Sequence, residues 1–197
     1  MADVSTVMAK NIPHHSGAAR ERLLLAACDL FCRYGINATG VDSIVEAAGT
    51  AKTTLYKAFG SKEGLIEAVL AHEGQSWRDW FSNEIDAYDG APAEKLLHVF
   101  AVLKRWFQED SFYGCPFINA VGEHDKEDDR IRLLTIQHKT IVLNKITSLT
   151  ADVRPEDPEG LTHELALLID GAIVAALVTK DATVADHARN AARRLLT

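Results

Sequence analysis

The most chemically informative residues of this sequence are ammonium, hydroxyl and phenol groups that lie close together between positions 52 and 62. They are Lys52, Thr53, Thr54, Tyr56, Lys57 and Lys62. Such groups bond phosphate oxygens, and they also bond base edges in the major groove of DNA. Leu55 and Phe59 would lie on the opposite side of a helix. The segment therefore predicts a short helix with an apolar inner face and an outer face suited to a nucleic acid.

Three short helices are predicted to position these side chains. The first spans about 18–34 with helical spacing of its apolar residues, the second spans about 41–48, and the third carries the polar segment. They end at Gly35, Gly49 and Gly60, because glycine adopts positive φ at a helix end without strain. The tight glycine turn between the second and third helices predicts a helix-turn-helix.

The rest of the chain predicts further helices and no sheet. Ser61 is a good N-cap for a long fourth helix, with Glu63 in its first turn. Further helices are expected over about 93–108, 116–123, 129–151, 161–179 and 184–196. No segment alternates apolar and polar residues for long, so we expect an all-α protein with about nine helices. The predicted domains are a flexible arm (1–17), a helix-turn-helix domain (18–64) and a second helical domain (65–197).

Residues 18–70 resemble the DNA-binding domain of the tetracycline-repressor (TetR) family of bacterial regulators. The matching pieces are Leu30-Phe31 through Tyr34-Gly35, Ala38-Thr39-Gly40-Val41, Ile44 through Ala47-Ala48-Gly49, Lys52 through Tyr56 with Phe59, and Ser61-Lys62-Glu63-Gly64-Leu65. The resemblance implies an all-α homodimer that binds a palindromic operator in double-stranded DNA. It also implies a C-terminal domain that binds a small molecule and releases the DNA, with repression as the usual mode.

The expected DNA contacts follow from residue types and from the resemblance. They are Arg20, Thr39, Thr50, Lys52, Thr53, Thr54, Tyr56, Lys57 and Lys62. Thr54, Tyr56 and Lys62 are predicted to bind phosphates, as are Arg20 and Arg22. Lys52, Thr53 and Lys57 are better placed for base edges.

Two positions depart from the family pattern at helix starts. Gly40 stands where the family often has Ser or Thr, and Ala51 stands where it usually has Ser. Glycine is an acceptable N-cap, whereas alanine costs about 1 kcal/mol. Thr50 is the candidate substitute for the missing cap at the third helix.

The charge is uneven along the chain. Up to His72 there are seven basic and seven acidic residues, and the remaining 14 basic and 21 acidic residues account for the net charge of −7. The N-terminal part can therefore approach a polyanion that the remainder repels.

Aromatic residues are dense beyond position 76 and predict a pocket for a small apolar or aromatic effector. The candidate residues are Trp77, Trp80, Phe100, Phe107, Phe117, Asn119, Glu123 and His138. The same pattern is typical of an ordinary helical core, so both interpretations stay open for each residue.

The last two helices combine small and apolar residues, which predicts close helix packing between two chains. The candidate interface residues are Leu168, Ala172, Ile173, Ala176, Ala188, Ala192 and Leu195. Internal core is the alternative.

Other chemistries are less well supported. Glu123, His124, Asp125 and His138 form the best local metal set, but solvated charge is the better interpretation, so no metal and no cofactor are expected. Cys28 and Cys32 are expected to be buried small hydrophobes, and Cys115 is either inert or a redox or electrophile sensor. The run 165–178 is shorter than a membrane span, and no secretory signal is visible, so we expect a cytoplasmic protein without membrane contact. The rival hypotheses are a DNA-binding dimer without an effector and a small enzyme that uses Cys115 or His138.

Overall fold

The computed structural model describes residues 17–124 and 127–196, and the predicted arm lies almost wholly outside them. Within these residues the chain is helical with no strand, which confirms the all-α class. The nine helices there are α1 (Gly17–Tyr34), α2 (Val41–Ala47), α3 (Lys52–Phe59), α4 (Lys62–Asp86), α5 (Pro92–Phe107), α6 (Pro116–Glu123), α7 (Asp129–Val153), α8 (Pro158–Thr179) and α9 (Val184–Leu195).

The chain forms two compact units. Of the described residues, the first unit contains those up to Ser76 and those of Pro116–Thr135, and the second contains Trp77–Cys115 and those from Ile136 onward. Helices α4 and α7 each contribute to both units. The two units are defined by packing and not by function, so the predicted functional boundary at residue 64 stays a prediction.

The first three helices pack on one another around a small apolar core. Helix α1 contacts α2 and α3, and α2 contacts α3. Leu23, Ala27, Ile44 and Leu55 are fully buried there. Burial of each large side chain contributes about 1.5–3 kcal/mol, so Leu55 holds α3 firmly by its inner face.

The predicted helix ends occur where the glycines stand. Gly35, Gly49 and Gly60 have φ of 89°, 59° and 79°, a region that other residues rarely adopt. Ser61 caps α4 as predicted, since its Oγ accepts the Gly64 N–H at 3.1 Å. Hydrogen bonds from the first-turn backbone and from Ser61 lower the pKa of Glu63. A Cβ on Gly64 would lie 2.2 Å from the Phe59 carbonyl oxygen, so this glycine permits the close junction of α3 and α4.

The second unit is built on α5, α8 and α9, which contact one another. Asp157 caps α8 by accepting the Gly160 N–H at 3.0 Å, and Lys180 ends that helix in the left-handed conformation. Among the described residues, α8 is long and apolar enough to cross a membrane by length and composition alone, with a mean hydropathy of 1.8 over its most apolar window. The protein buries 39% of that window, and Asp170 within the helix pairs with Lys139.

Candidate nucleic-acid interface and associated sites

Helix α3 presents the predicted polar face to solvent. Lys52, Thr53, Tyr56 and Lys57 are exposed, whereas Leu55 is fully buried. Residues 52, 53, 56 and 57 span about 140° around a helix with 100° per residue. These four side chains therefore form one continuous surface, which we call the α3 face. Thr54 lies at its edge and is half-buried.

An acidic side chain lies beside the α3 face. The Asp42 carboxylate, in the first turn of α2, pairs with Lys52 Nζ at 2.7 Å. Asp42 is 79% exposed and Lys52 is 53% exposed. The hydrogen bond and the charge of Asp42 raise the pKa of Lys52, so this ammonium stays charged. Asp42 is not predictable as part of this surface from the sequence, because an aspartate in the first turn of a helix is ordinary.

Two arginines of α1 brace the three-helix core. The Arg20 guanidinium lies over the Phe59 ring, 4.8 Å from its centroid. Arg22 Nε donates to the Ala48 carbonyl oxygen at 3.0 Å, at the end of α2. Arg20 and Arg22 are both exposed residues. They fix the orientation of α2 and α3, a role beyond the phosphate contacts predicted for them.

Three of the predicted DNA contacts have side chains that are bonded or buried within the first unit, and their contact with DNA stays a prediction. Thr39 is 3% exposed and its hydroxyl donates to the Gly35 carbonyl oxygen at 2.7 Å, so its side chain is not on the described surface. Lys62 Nζ donates to the Ile36 carbonyl oxygen at 2.7 Å and lies 6.0 Å from the Phe31 ring centroid. A phosphate would have to share or displace that bond. The Thr50 hydroxyl is buried without a hydrogen-bond partner among the described residues.

Neither α2 nor α3 has a side-chain cap at its start. Gly40 and Ala51 occupy the N-cap positions with extended backbone, and no side chain among the described residues caps the first-turn N–H groups there. Thr50 does not act as the substitute, because its hydroxyl makes no hydrogen bond within the described part of the chain. The start of α3 therefore depends on packing of Leu55.

The predicted pocket residues fall in both units. Trp77, Trp80, Phe100, Phe107 and His138 belong to the second unit, while Phe117, Asn119 and Glu123 belong to the first. Phe100 and Phe117 are buried core side chains, with 1% and 3% exposure. Their contact with an effector stays a prediction.

Trp77 is the centre of an aromatic cluster in the second unit. Its ring stacks on Phe81 at 4.6 Å between centroids, and it lies 5.5 Å from Trp106 and 6.3 Å from Trp80. Phe107 and Phe112 extend the cluster through Trp106. The Trp77 indole N–H is buried and has no acceptor among the described residues. Buried indole N–H groups usually have a partner, so this donor is unusual.

His138 supplies a polar group beside these rings. Its ring centroid lies 6.0 Å from that of Trp77, and Arg78 Nη1 donates to its Nδ1 at 2.8 Å. Burial, with the nearby charges of Arg78 and Lys139, lowers the pKa of His138 to about 4. The imidazole is therefore neutral at pH 7, and its proton is on Nε2 because Nδ1 accepts from Arg78.

Glu123 joins α6 to the loop that follows α1, within the first unit. The Asn37 N–H donates to Glu123 Oε2 at 2.8 Å, and Asn37 Nδ2 donates to the Glu123 carbonyl oxygen at 2.8 Å. Asn119 and Glu123 also line a small cleft with Phe31 and Cys32. The metal set suggested around Glu123 includes Asp125, which lies outside the described residues, and His124 pairs with Asp128 at 3.4 Å.

The predicted interface residues of α8 and α9 need correction. Ala172, Ile173, Ala176 and Ala192 are at most 4% exposed within a single chain, so they belong to its own core. Leu168, Ala188 and Leu195 are half-buried. The apolar residues that α8 leaves exposed are Leu167, Val174 and Val178, at 76%, 44% and 75%. With exposed Gly171 they follow a spacing of 4, 7 and 11 residues, which forms one stripe, here called the α8 stripe.

Comparison with known proteins identifies the N-terminal helices. Residues 23–69 match the family model of bacterial regulatory proteins of the tetR family. The chain is 26% identical over 171 residues to an uncharacterized HTH-type transcriptional regulator from the lacX 3' region of Lactococcus lactis subsp. lactis, covering 84% of this chain and 86% of that one. It is 35% identical over 96 residues to the HTH-type transcriptional repressor KstR2 of Mycolicibacterium smegmatis, covering 47% and 45% of the two chains.

The fold has a solved counterpart. A TetR-family transcriptional regulator from Streptomyces coelicolor superimposes with a TM-score of 0.83 at 27% identity, covering 91% of this chain and 95% of that one. The family match covers the helices that carry the α3 face, and the structural match extends over both units. Residues 23–69 therefore form a DNA-binding domain of the TetR type, and the chain has the fold of a TetR-family transcriptional regulator.

Proposed function

We propose that this regulator is a repressor that binds a palindromic DNA operator as a homodimer and releases it when a small apolar or aromatic effector binds. The observation that carries the proposal is the α3 face, where Lys52, Thr53, Tyr56 and Lys57 are exposed above the buried Leu55. A short, externally polar helix fits the major groove, where lysines reach guanine O6 and N7 and hydroxyls reach phosphates.

A dimer would place two α3 helices in successive major grooves. The half-sites of such an operator lie about 34–36 Å apart. The α8 stripe supports the dimer, because four small or apolar residues along one side of a long helix would otherwise face water. Isologous pairing of this stripe with the same stripe of a second chain covers it and gives twofold symmetry.

The aromatic cluster supports the effector. Flat apolar walls surround Trp77, whose buried indole N–H has no acceptor among the described residues, and His138 beside it is neutral. Such elements form a site for an aromatic molecule that carries a hydrogen-bond acceptor. Helix α4 links this cluster to the DNA-binding unit, since it begins at Lys62 and contains Trp77, Trp80 and Phe81. An effector would release DNA if it bound more tightly to the arrangement that does not fit the operator.

Fluorescence anisotropy tests the DNA-binding part of the proposal. An operator is first selected from random duplexes and from DNA that flanks the gene, and binding is then measured over a range of salt concentrations. Lys57→Ala should weaken binding and reduce the slope of log K against log salt by about one if Lys57 contacts a phosphate. If Lys57 instead contacts a base, the change should alter preference among operators by about tenfold. Lys95→Ala, on α5 of the second unit, is the matched control.

The proposal is contradicted if Lys57→Ala and Lys52→Ala each leave affinity, salt slope and operator preference unchanged. The effector part has its own test, because all three tryptophans of the chain lie in the aromatic cluster. A true effector should change the intrinsic fluorescence, raise the melting temperature and lower operator affinity. Compounds that bind without changing operator affinity would favour a DNA-binding dimer that has no effector.

A further inference from the structure

A mixed group of side chains joins α1 to α4 inside the first unit. Cys28 lies on α1, and His72 and Glu73 are neighbours on α4. One sulfur, one imidazole nitrogen and one carboxylate oxygen all lie within 4.8 Å of one another. Cys28 is 8% exposed, and the other two residues are half-buried. None of the three has a part in the proposed DNA contacts, the aromatic cluster or the α8 stripe.

The chemistry of these three groups is that of a transition-metal site. Thiolate and imidazole are ligands for zinc and related ions, whereas calcium and magnesium prefer oxygen alone. In a tetrahedral zinc site with Zn–S of about 2.3 Å and Zn–N of about 2.0 Å, neighbouring ligand atoms are roughly 3.3–3.8 Å apart. The three ligand atoms, within 4.8 Å of one another, are therefore at most about 1 Å farther apart than that geometry requires.

The surroundings also suit such an ion. The Cys28 thiol donates a hydrogen bond to Glu73, so two of the ligand atoms are already aimed at each other. Cys32 follows Cys28 by one helical turn and lies on the same side of α1, near enough to affect its thiol electrostatically. Cys32 or a water molecule would complete four-coordination. The buried sulfur distinguishes this group from a cluster of surface carboxylates, which would not favour a transition-metal ion.

We propose that Cys28, His72 and Glu73 bind one divalent transition-metal ion per chain, with Zn²⁺ as the best match, and that this ion ties α1 to α4. The thiol gives up its proton to solvent as the ion binds, because the thiolate is the ligand. The proposal goes beyond the proposed function, since it requires neither an operator nor an aromatic effector.

Metal binding is best measured on the full-length, untagged, chelator-treated protein under reducing conditions. Zn²⁺ is titrated in competition with a chromophoric chelator, and Co²⁺ is used as a spectroscopic probe. We expect one equivalent of tightly bound Zn²⁺ and a thiolate-to-cobalt charge-transfer band. Zn²⁺ at a hundredfold above its Kd should raise the melting temperature by roughly 5–10 °C.

The variants separate ligation from folding. His72→Gln and Glu73→Gln alter half-buried side chains, so they should fold normally, and each should weaken Zn²⁺ binding at least about tenfold. Cys28→Ser keeps the size of the buried side chain and should abolish the cobalt charge-transfer band. The matched controls are Cys115→Ala and His187→Gln, both in the second unit. Each should bind Zn²⁺ with the affinity of the unchanged protein.

Two results would overturn the proposal. One is a Zn²⁺ affinity weaker than about 10 µM in the unchanged protein, which is too weak for a site with a thiolate and an imidazole ligand. The other is binding that persists at full strength in His72→Gln, Glu73→Gln and Cys28→Ser, which would place the ion elsewhere, for example at His14 and His15. Circular dichroism of each metal-free variant confirms that a loss of binding is not a loss of fold.

Discussion

Ala51 begins the helix that carries the α3 face, yet it cannot cap that helix. Its φ and ψ of −107° and 153° are those of an N-cap residue, but no described side chain caps the first N–H groups of the helix, and the Thr54 N–H donates only to the Ala51 carbonyl oxygen at 2.9 Å. Ala51→Ser places a hydroxyl where it accepts one of them, so the free energy of unfolding should rise by about 1 kcal/mol. Chemical denaturation followed by circular dichroism measures this change.

The control for Ala51→Ser is the same substitution within a helix. Ala71 is exposed in α4, where the backbone N–H groups are already bonded, so Ala71→Ser should be neutral or slightly destabilising. An equal rise in the free energy of unfolding for Ala51→Ser and Ala71→Ser would show that the hydroxyl at position 51 does not act as a cap.

His138 should make stability depend on pH between about 4 and 6.5. Its pKa is about 4 in the folded protein and 6.5 in an unfolded chain. As pH falls below 6.5 the unfolded chain takes up a proton that the folded protein does not, so stability present above pH 6.5 is lost toward pH 4. His138→Gln, which can still accept from Arg78, should reduce the loss between pH 7 and pH 5 by about 1–2 kcal/mol.

Urea denaturation at several pH values tests this expectation. His187 is exposed on α9, so His187→Gln should leave the pH profile unchanged. A profile of His138→Gln that parallels that of the unchanged protein would mean that His138 is protonated normally in the fold.

At the scale of elements, the charge of Asp42 is expected to lower the affinity of the α3 face for DNA. Its carboxylate holds Lys52 at 2.7 Å and is itself exposed near the surface proposed to face phosphates. Asp42→Asn removes a repulsive charge and frees the ammonium. We expect affinity for all duplexes to rise about two- to fivefold, with a steeper salt dependence.

The alternative role of Asp42 gives the opposite result. A carboxylate that accepts from cytosine N4 would make Asp42→Asn lower operator affinity and relax preference at one base pair. Anisotropy with the selected operator and with single-base variants distinguishes the two roles. Asp86→Asn, at the end of α4, is the control, because Asp86 pairs with Lys145 in the second unit.

The elements themselves were largely predictable from sequence. Glycines marked the ends of α1 and α3, and Ser61 marked the start of α4, because local backbone geometry and capping depend on neighbours in sequence. The helical spacing of Leu55 and Phe59 also gave the orientation of α3 correctly. These features can be predicted without knowing which helices pack against one another.

Roles that depend on partners distant in sequence were not predictable. Lys62 is predicted to contact DNA, but its ammonium also donates to the Ile36 carbonyl oxygen in the segment after α1. Cys28 meets His72 and Glu73 only through packing of α1 on α4. Helix α8 is apolar on nearly every side, so its hydrophobic periodicity does not show which face is core and which carries the exposed stripe.

At the scale of the whole molecule, the charge distribution and the proposed dimer would act together. Residues up to His72 are neutral in sum, and the remainder carries the net charge of −7. An acidic body is repelled by DNA, which favours approach through the exposed lysines of α3. In the proposed dimer, affinity for an operator would depend on the presence of two α3 faces, because each face is small.

The α8 stripe should therefore decide both oligomeric state and DNA binding. A lysine placed among Leu167, Gly171, Val174 and Val178 would be buried without a partner in the dimer, whereas it is harmless on a free monomer surface. Leu167→Lys should shift the mass measured by light scattering from two chains to one at micromolar concentration. It should also weaken operator binding more than tenfold while half-site binding is unchanged. Leu133→Lys, at a residue 56% exposed on α7, should remain dimeric. A dimer that survives both Leu167→Lys and Val178→Lys would place the interface on another surface.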